Sequence, residues 1–436
     1  MFNKNILKKA IRNYLDIGRY FFLFGVFLLP TAFPLAGLFL LFSLLISFLK
    51  IKFSFLKEKL NIVILIVLGL IIFTSFINSF NLINGVIPDL DNSYIWLNLF
   101  NWIPALLGFI GFQSYVKTKE DRLLFSKYLI SGTVPVIASC LFHLFFDYPG
   151  PFTVFHGLIV WFHKPMEVTG GVAGLFNNRN YAAFWLSANL PFAFYFLNKN
   201  FNCKVRNLPT ILITFLIMYL IIYTNSKNAL LGMISTLFFF VGIKSILIIS
   251  SILILLIIIF IFLPTINISL LELLPDVFLR IRGLNFFINT PRFVIFRSAT
   301  NFILQRPFLG WGSGTFSLIY LAKENMWNPP FIFYNFQHTH NIFLEMAFNF
   351  GLPISITLTS IALFIFFKAL KVCFSTRSKD YFYILDKAWI CSGLVVLLIH
   401  LSDMPFYDGR VSLLICILFS GLRCISLTKK NCEIPA

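Results

Sequence analysis

LNIVILIVLGLIIFTSFI, residues 60–77, carries no charged side chain and follows directly on Lys57 and Lys59. At about 1.5 Å of rise per residue, a helix of this length is close to the roughly 30 Å hydrocarbon core of a bilayer. Working outward, comparable apolar runs centre near 20–30, 34–49, 95–116, 123–146, 180–197, 208–223, 229–243, 246–264, 341–367, 388–402 and 410–422, with Pro30 and Pro34 separating the first two. Of the 436 residues, 58% are hydrophobic and only 12% are charged. A soluble fold with so few charges would expose large apolar patches and aggregate. The expectation is an all-α, polytopic membrane protein of about 12 transmembrane helices, a single integral domain over 1–436.

The net charge of +18 would suggest nucleic acid as a partner in a soluble protein. Here most of it falls in short loops between spans, where Lys and Arg set orientation, so no nucleic acid is expected. Lys50, Lys52, Lys57 and Lys59, then Lys117, Lys119, Arg122 and Lys127, then Lys199, Lys204 and Arg206, then Lys244, then Lys368, Lys371, Arg377, Lys379 and Lys387 all fall on the side of the N-terminus. With the two terminal segments, about 25 of the 35 basic residues lie there. The alternation never breaks, so twelve spans with both termini cytoplasmic are expected. The basic start from Lys4 to Arg19 resembles a signal peptide but lacks a small-residue cleavage site, and it reads as an uncleaved first span. The seven cysteines include no CxxC pair, which argues against a disulfide framework or a thiolate metal site.

The other ten basic residues lie on the outer face, against the bias. Half of them are arginines in one long loop at about 265–340: Arg280, Arg282, Arg292, Arg297 and Arg306. Long loops are uncommon unless functional or disordered, and the Phe, Trp, Ile and Leu content argues against disorder. Within it, 291–306 has helical spacing, with Phe293, Phe296, Thr300 and Ile303 on one face and Arg292, Arg297 and Asn301 toward another. One or two short helices against the membrane surface are expected.

His338-Thr339-His340-Asn341-Ile342-Phe343-Leu344-Glu345 opens the tenth span. An imidazole there titrates near neutrality, and burial would favour its neutral form, ready to accept a proton. Glu345 lies about one turn inside the membrane, where carboxylates are costly and usually partnered. It is expected to orient a histidine or to pair with an arginine. An HxH pair without a matching Asp/Glu/His cluster gives no metal site. Upstream, Arg306-Pro307-Phe308-Leu309-Gly310-Trp311-Gly312-Ser313-Gly314 allows a tight turn or close backbone approach to an anion. The planar guanidinium groups of Arg292 and Arg297 suit a phosphate or pyrophosphate. Gly170-Gly171 with Arg179, and Thr224-Asn225-Ser226-Lys227-Asn228, add cations from two more outer segments.

These motifs resemble those of the O-antigen ligase and polymerase superfamily. HTHNIFLEMAFNFGLPIS is similar to its His-Asn-x-x-Leu-Glu…Gly-Leu signature and RPFLGWGSGTF to its Pro-x-x-Gly-x-Gly turn. GLFNNRNYAAFWLSANLP and TNSKNALLG resemble two further family stretches, with Lys227 standing where the family usually has arginine; lysine holds phosphate as a point charge rather than bidentately. The resemblance covers about 170–355. It implies a membrane glycosyltransferase in the bacterial inner membrane that needs no metal or cofactor and takes a lipid-linked glycan donor, a polyprenyl pyrophosphate, and a glycan or lipid acceptor.

On that reading, His340 or else His338 takes a proton from an acceptor hydroxyl, and Arg292, Arg297, Lys227 and Arg179 hold the pyrophosphate. The superfamily also contains Wzy-type polymerases, protein O-oligosaccharyltransferases and members once proposed as bicarbonate transporters. A transporter would place polar groups or broken helices through the span centres; here the centres are nearly all Ile, Leu, Phe and Val.

Overall fold

The computed structural model describes residues 4–51, 58–81, 93–146, 148–200, 208–242, 291–327, 336–375 and 381–428. It is mostly helical. In chain order the helices are α1 (Lys4–Leu28), α2 (Phe33–Ile51), α3 (Lys59–Asn81), α4 (Ser93–Asn98), α5 (Ile103–Gly111), α6 (Lys119–Phe145), α7 (Met166–Thr169), α8 (Arg179–Asn200), α9 (Leu208–Tyr223), α10 (Lys227–Val241), α11 (Pro291–Gln305), α12 (Phe316–Trp327), α13 (Ile342–Phe350), α14 (Leu352–Ser375), α15 (Tyr381–Ile399) and α16 (Gly409–Leu427). Residues 152–154 and 159–161 form a two-stranded antiparallel hairpin between α6 and α7.

Among the described residues, five stretches are long and apolar enough to cross a membrane, namely α3, the stretch holding α4 and α5, α6, α14 and α16. Helices α2, α9 and α10 are apolar but shorter. The expected span at 246–264 lies outside the described residues, as do Arg280 and Arg282. The outward flanks carry exposed Leu41, Ile66, Phe73, Phe215, Phe364 and Phe367, as surfaces facing acyl chains require.

The main core joins α1, α5, α6, α8, α9, α10, α14, α15 and α16 around the fully buried Trp185 and Trp389. The bundle has two polar ends. At one, Arg122 pairs with Asp386 at 2.8 Å, Arg19 with Asp121 at 2.5 Å and Arg423 with Glu58 at 3.1 Å. At the other lie Asp408 and Arg410, thirteen residues or about 20 Å up α16 from Arg423.

Two predicted spans are broken. The 95–116 run is α4, a 3-10 turn over Leu99–Asn101 and α5, which Pro104 opens. The 341–367 run divides at Gly351, whose φ of +92° ends α13 before α14 begins. Pro353 has no N–H for the Asn349 carbonyl, so that oxygen must find another donor. It accepts from Gly312 N at 3.1 Å, while Phe348 O accepts from Trp311 N at 2.7 Å and Leu352 N donates to Pro307 O at 2.7 Å.

The loop's short helices are present as α11 and α12, but the buried face of α11 differs from expectation. Ile295, Ala299, Phe302 and Ile303 are buried with Trp311, Phe316 and Phe348, whereas Phe293 is 49% exposed and Thr300 faces outward. The helix has apolar residues all round, so periodicity alone could not choose between its two apolar stripes.

Candidate active site

The histidine loop ends at Asn341, which caps α13 by accepting from Leu344 N at 3.0 Å and donates its side-chain amide to Leu401 O at 2.8 Å. Ile342 N donates to His400 O at 3.1 Å. The residue 400–408 turn between α15 and α16 is thereby fastened to the histidines. His340 takes a left-handed φ of +54°, a conformation that costs an L-residue about 1–2 kcal/mol and persists only where surroundings enforce it. Its Nδ1 lies 3.3 Å from Oδ1 of the buried Asp403, while the imidazole itself is 29% exposed.

Burial pushes the Asp403 carboxyl up, but the hydrogen bond and charge of His340, with Arg292 acting on it from α11, outweigh that and hold it below the ordinary value. An ionised carboxylate only accepts, so in the neutral imidazole Nδ1 would carry the proton and Nε2 would be the nitrogen able to accept one. Asp403 also accepts from Met404 N at 2.8 Å through Oδ1, and its Oδ2 is buried without a partner. His338 is placed differently. It stacks on Tyr407 at 4.2 Å between ring centres, and burial lowers its pKa, partly offset by the Glu345 charge.

Among the described residues, Glu345 has no hydrogen bond to a histidine ring and no ion pair with an arginine. It is fully buried and accepts from Thr339 N at 2.8 Å, from Tyr407 Oη at 2.5 Å and from Asn349 Nδ2 at 3.3 Å. Its backbone bond fixes the residue between the two histidines. The Tyr407 hydroxyl, buried and facing this carboxylate, is held protonated well above its ordinary pKa. The glycine turn makes its close approach to protein rather than to an anion. A Cβ on Gly310 would lie 2.5 Å from Phe348 O, and Gly314 N donates to Asn349 Oδ1 at 3.3 Å.

Arg179 donates to Gly170 O, which also accepts from Asn225 Nδ2 at 3.0 Å, and Val172 N donates to Tyr223 O at 2.9 Å. The Gly170 and Asn225 segments, far apart in sequence, therefore meet. Lys227 opens α10, and its neighbour Asn228 accepts from Ser402 Oγ at 2.8 Å, one residue before Asp403. Contacts thus run from Arg179 through Asn225 and the start of α10 to Ser402, Asp403 and His340, with Arg292 beyond. Arg297 is exposed on α11.

The sequence reading missed Asp403, Ser402, Tyr407 and Asp408. A signal was present: only 17 acidic residues occur in the chain, and HLSDMPFYDGR at 400–410 places two of them in a short turn between apolar runs. No curated protein matches the chain. The family described as O-antigen ligase matches residues 212–359, which contain Lys227, Arg292, Arg297, both loop histidines and Glu345. That match covers about a third of the chain; on a scaffold of apolar helices whose charged residues gather at the ends, it supports a place in the O-antigen ligase superfamily, among membrane proteins of the glycan-transferring ligase and polymerase kind.

Proposed function

We propose that the chain transfers glycan from a polyprenyl-pyrophosphate donor to an acceptor hydroxyl at the extracytoplasmic face of the bacterial inner membrane, as an O-antigen ligase does. The observation that carries this reading is the His340–Asp403 pair, with Nε2 left free and Arg292 close enough to act on the carboxylate. His340 Nε2 takes the acceptor O–H proton. The oxygen then bonds to the anomeric carbon as its bond to pyrophosphate breaks, and the lipid-borne pyrophosphate departs with the electron pair against Arg292 and Arg297. Asp403 balances the imidazolium that forms, the logic of a carboxylate behind a catalytic histidine. Lys227 and Arg179, linked to the same turn through the side chains of Asn225 and Asn228, supply further positive charge. The activated donor provides the driving force, and no cofactor enters the scheme.

The topology behind this reading is one domain over 1–436 of about twelve spans, with both termini cytoplasmic and the 265–340 loop outside. A polymerase would use the same residues with a lipid-linked glycan as acceptor. His340→Ala and Arg292→Ala should each remove transfer, with base catalysis alone accounting for roughly 10²–10⁴-fold, while the protein still accumulates in the membrane. Near-normal surface glycan from both variants would overturn the mechanism. Glycan analysis of a deletion strain separates the two activities: long unattached chains mark a ligase, single repeat units a polymerase.

A further inference from the structure

Beside the histidine loop is a cleft of about 310 Å³, lined among the described residues by Thr31, Phe33, Pro34, Val160, Phe162, Asn177, Tyr181, Tyr407, Asp408, Gly409 and Arg410. Its walls come from the α1–α2 turn, the β-hairpin, the start of α8 and the start of α16. All four are segments that the charge pattern places on the outer face. Tyr407 belongs to both regions, since its ring lines the cleft, stacks on His338 and donates to Glu345.

The chemistry of the cleft differs from that of the arginine side. Its two charged residues neutralise each other: Arg410 Nη2 and Nε contact Asp408 Oδ2 and Oδ1 at 2.5 and 2.9 Å, and the guanidinium lies 4.1 Å above the Phe176 ring. A phosphate there would meet a carboxylate and a cation already committed to it. What remains is aromatic and polar. Phe33, Phe162, Tyr181 and Tyr407 offer rings, and Asn177 Oδ1 is a buried acceptor with no partner. A buried acceptor left unpaired is costly, and a ligand hydroxyl would satisfy it. Flat apolar faces with scattered acceptors suit a pyranose, whose C–H faces are apolar and whose rim carries O–H donors. The volume is at the small end of ligand sites, about 300–1,000 Å³.

We infer that this cleft is a saccharide subsite, holding the sugar next to the reacting hydroxyl or the reacting anomeric carbon. The inference rests on the transferase reading and adds where the glycan itself is recognised, apart from the pyrophosphate.

The test uses the full chain in detergent and three probes. These are the saccharide released by mild acid from the host's own lipid-linked glycan, the delipidated saccharide of the host's acceptor glycolipid, and inorganic pyrophosphate. Saturation-transfer NMR should show one of the two saccharides bound to the wild type. Asn177→Leu and Phe162→Ala should each weaken that binding, roughly tenfold for loss of one buried hydrogen bond, and leave the pyrophosphate response in ³¹P spectra unchanged. Whichever saccharide responds identifies the source, donor or acceptor. Binding of neither saccharide, or binding that survives both variants, overturns the subsite. The two readings fail separately: transfer that persists in His340→Ala sinks the reaction scheme, whereas loss of transfer in His340→Ala with wild-type saccharide binding in the cleft variants sinks only the subsite.

Discussion

At the residue scale, the informative pair is His340 and Asp403. In the proposed mechanism Asp403 does not touch substrate; it would act through the imidazole, fixing the tautomer and balancing the charge that appears on proton transfer. Asp403→Asn keeps the shape and removes the charge. It should lower kcat by less than His340→Ala does, within the roughly 10²–10⁴-fold that base catalysis supplies, and leave the acceptor KM unchanged. A raised KM with intact kcat would mean that Asp403 shapes the binding site instead. The histidines were legible in the sequence because an imidazole at a span's outer end is unusual. Asp403 was not, because it lies 63 residues further on, and only the packing of the 400–408 turn against Asn341 brings it near. Glu345 was legible as important and misread in its partners. The cost of a carboxylate inside the membrane suggested a histidine or arginine partner, whereas among the described residues the fold gives it a backbone amide, a tyrosine and an asparagine.

At the element scale, the turn at 307–315 and the break between α13 and α14 form one unit. Gly351 cannot be replaced without conflict, since its φ is +92° and an added Cβ would lie 2.5 Å from the Phe308 carbonyl carbon. Gly351→Ala should therefore lower the Tm of the purified protein, the left-handed backbone alone costing about 1–2 kcal/mol. Gly69→Ala in α3 is the control, because an added Cβ there meets nothing within 4 Å and alanine is the better helix former by roughly 0.5–1 kcal/mol. Equal melting shifts for the two variants would show that the docked turn contributes nothing. The sequence displayed the turn through its glycines, whereas the 341–367 run reads as one span despite Gly351 and Pro353. That the one fills the other could not be read from either, because hydrogen bonds between distant backbones leave no pattern in side chains.

At the scale of the molecule, helical class and membrane character were legible from hydropathy and charge, which bilayer physics constrains strongly. The gathering of the four motifs was harder, since it depends on which helices are neighbours. The two polar ends of the bundle make a direct prediction about orientation. In a background without other cysteines, Phe308→Cys, at a site 74% exposed, should react with a membrane-impermeant maleimide applied to spheroplasts. Glu120→Cys, at the start of α6, should react only after the membrane is opened. The reverse result would turn the protein over and remove the proposed chemistry from the face where lipid-linked glycan is presented.

The plugged break between α13 and α14 also bears on biogenesis. Two carbonyls in the middle of an apolar segment have donors only from a turn made earlier in the chain, and an unsatisfied backbone group in lipid costs several kcal/mol. The ribosome delivers 307–315 first, so on the proposed topology a translocated turn would already be waiting outside when the 342–375 segment enters the bilayer. The 400–408 turn that carries Asp403 arrives later still. A nascent chain halted before it would hold a seated histidine with no carboxylate behind it, so the His340–Asp403 pair can come into being only as α15 and α16 insert.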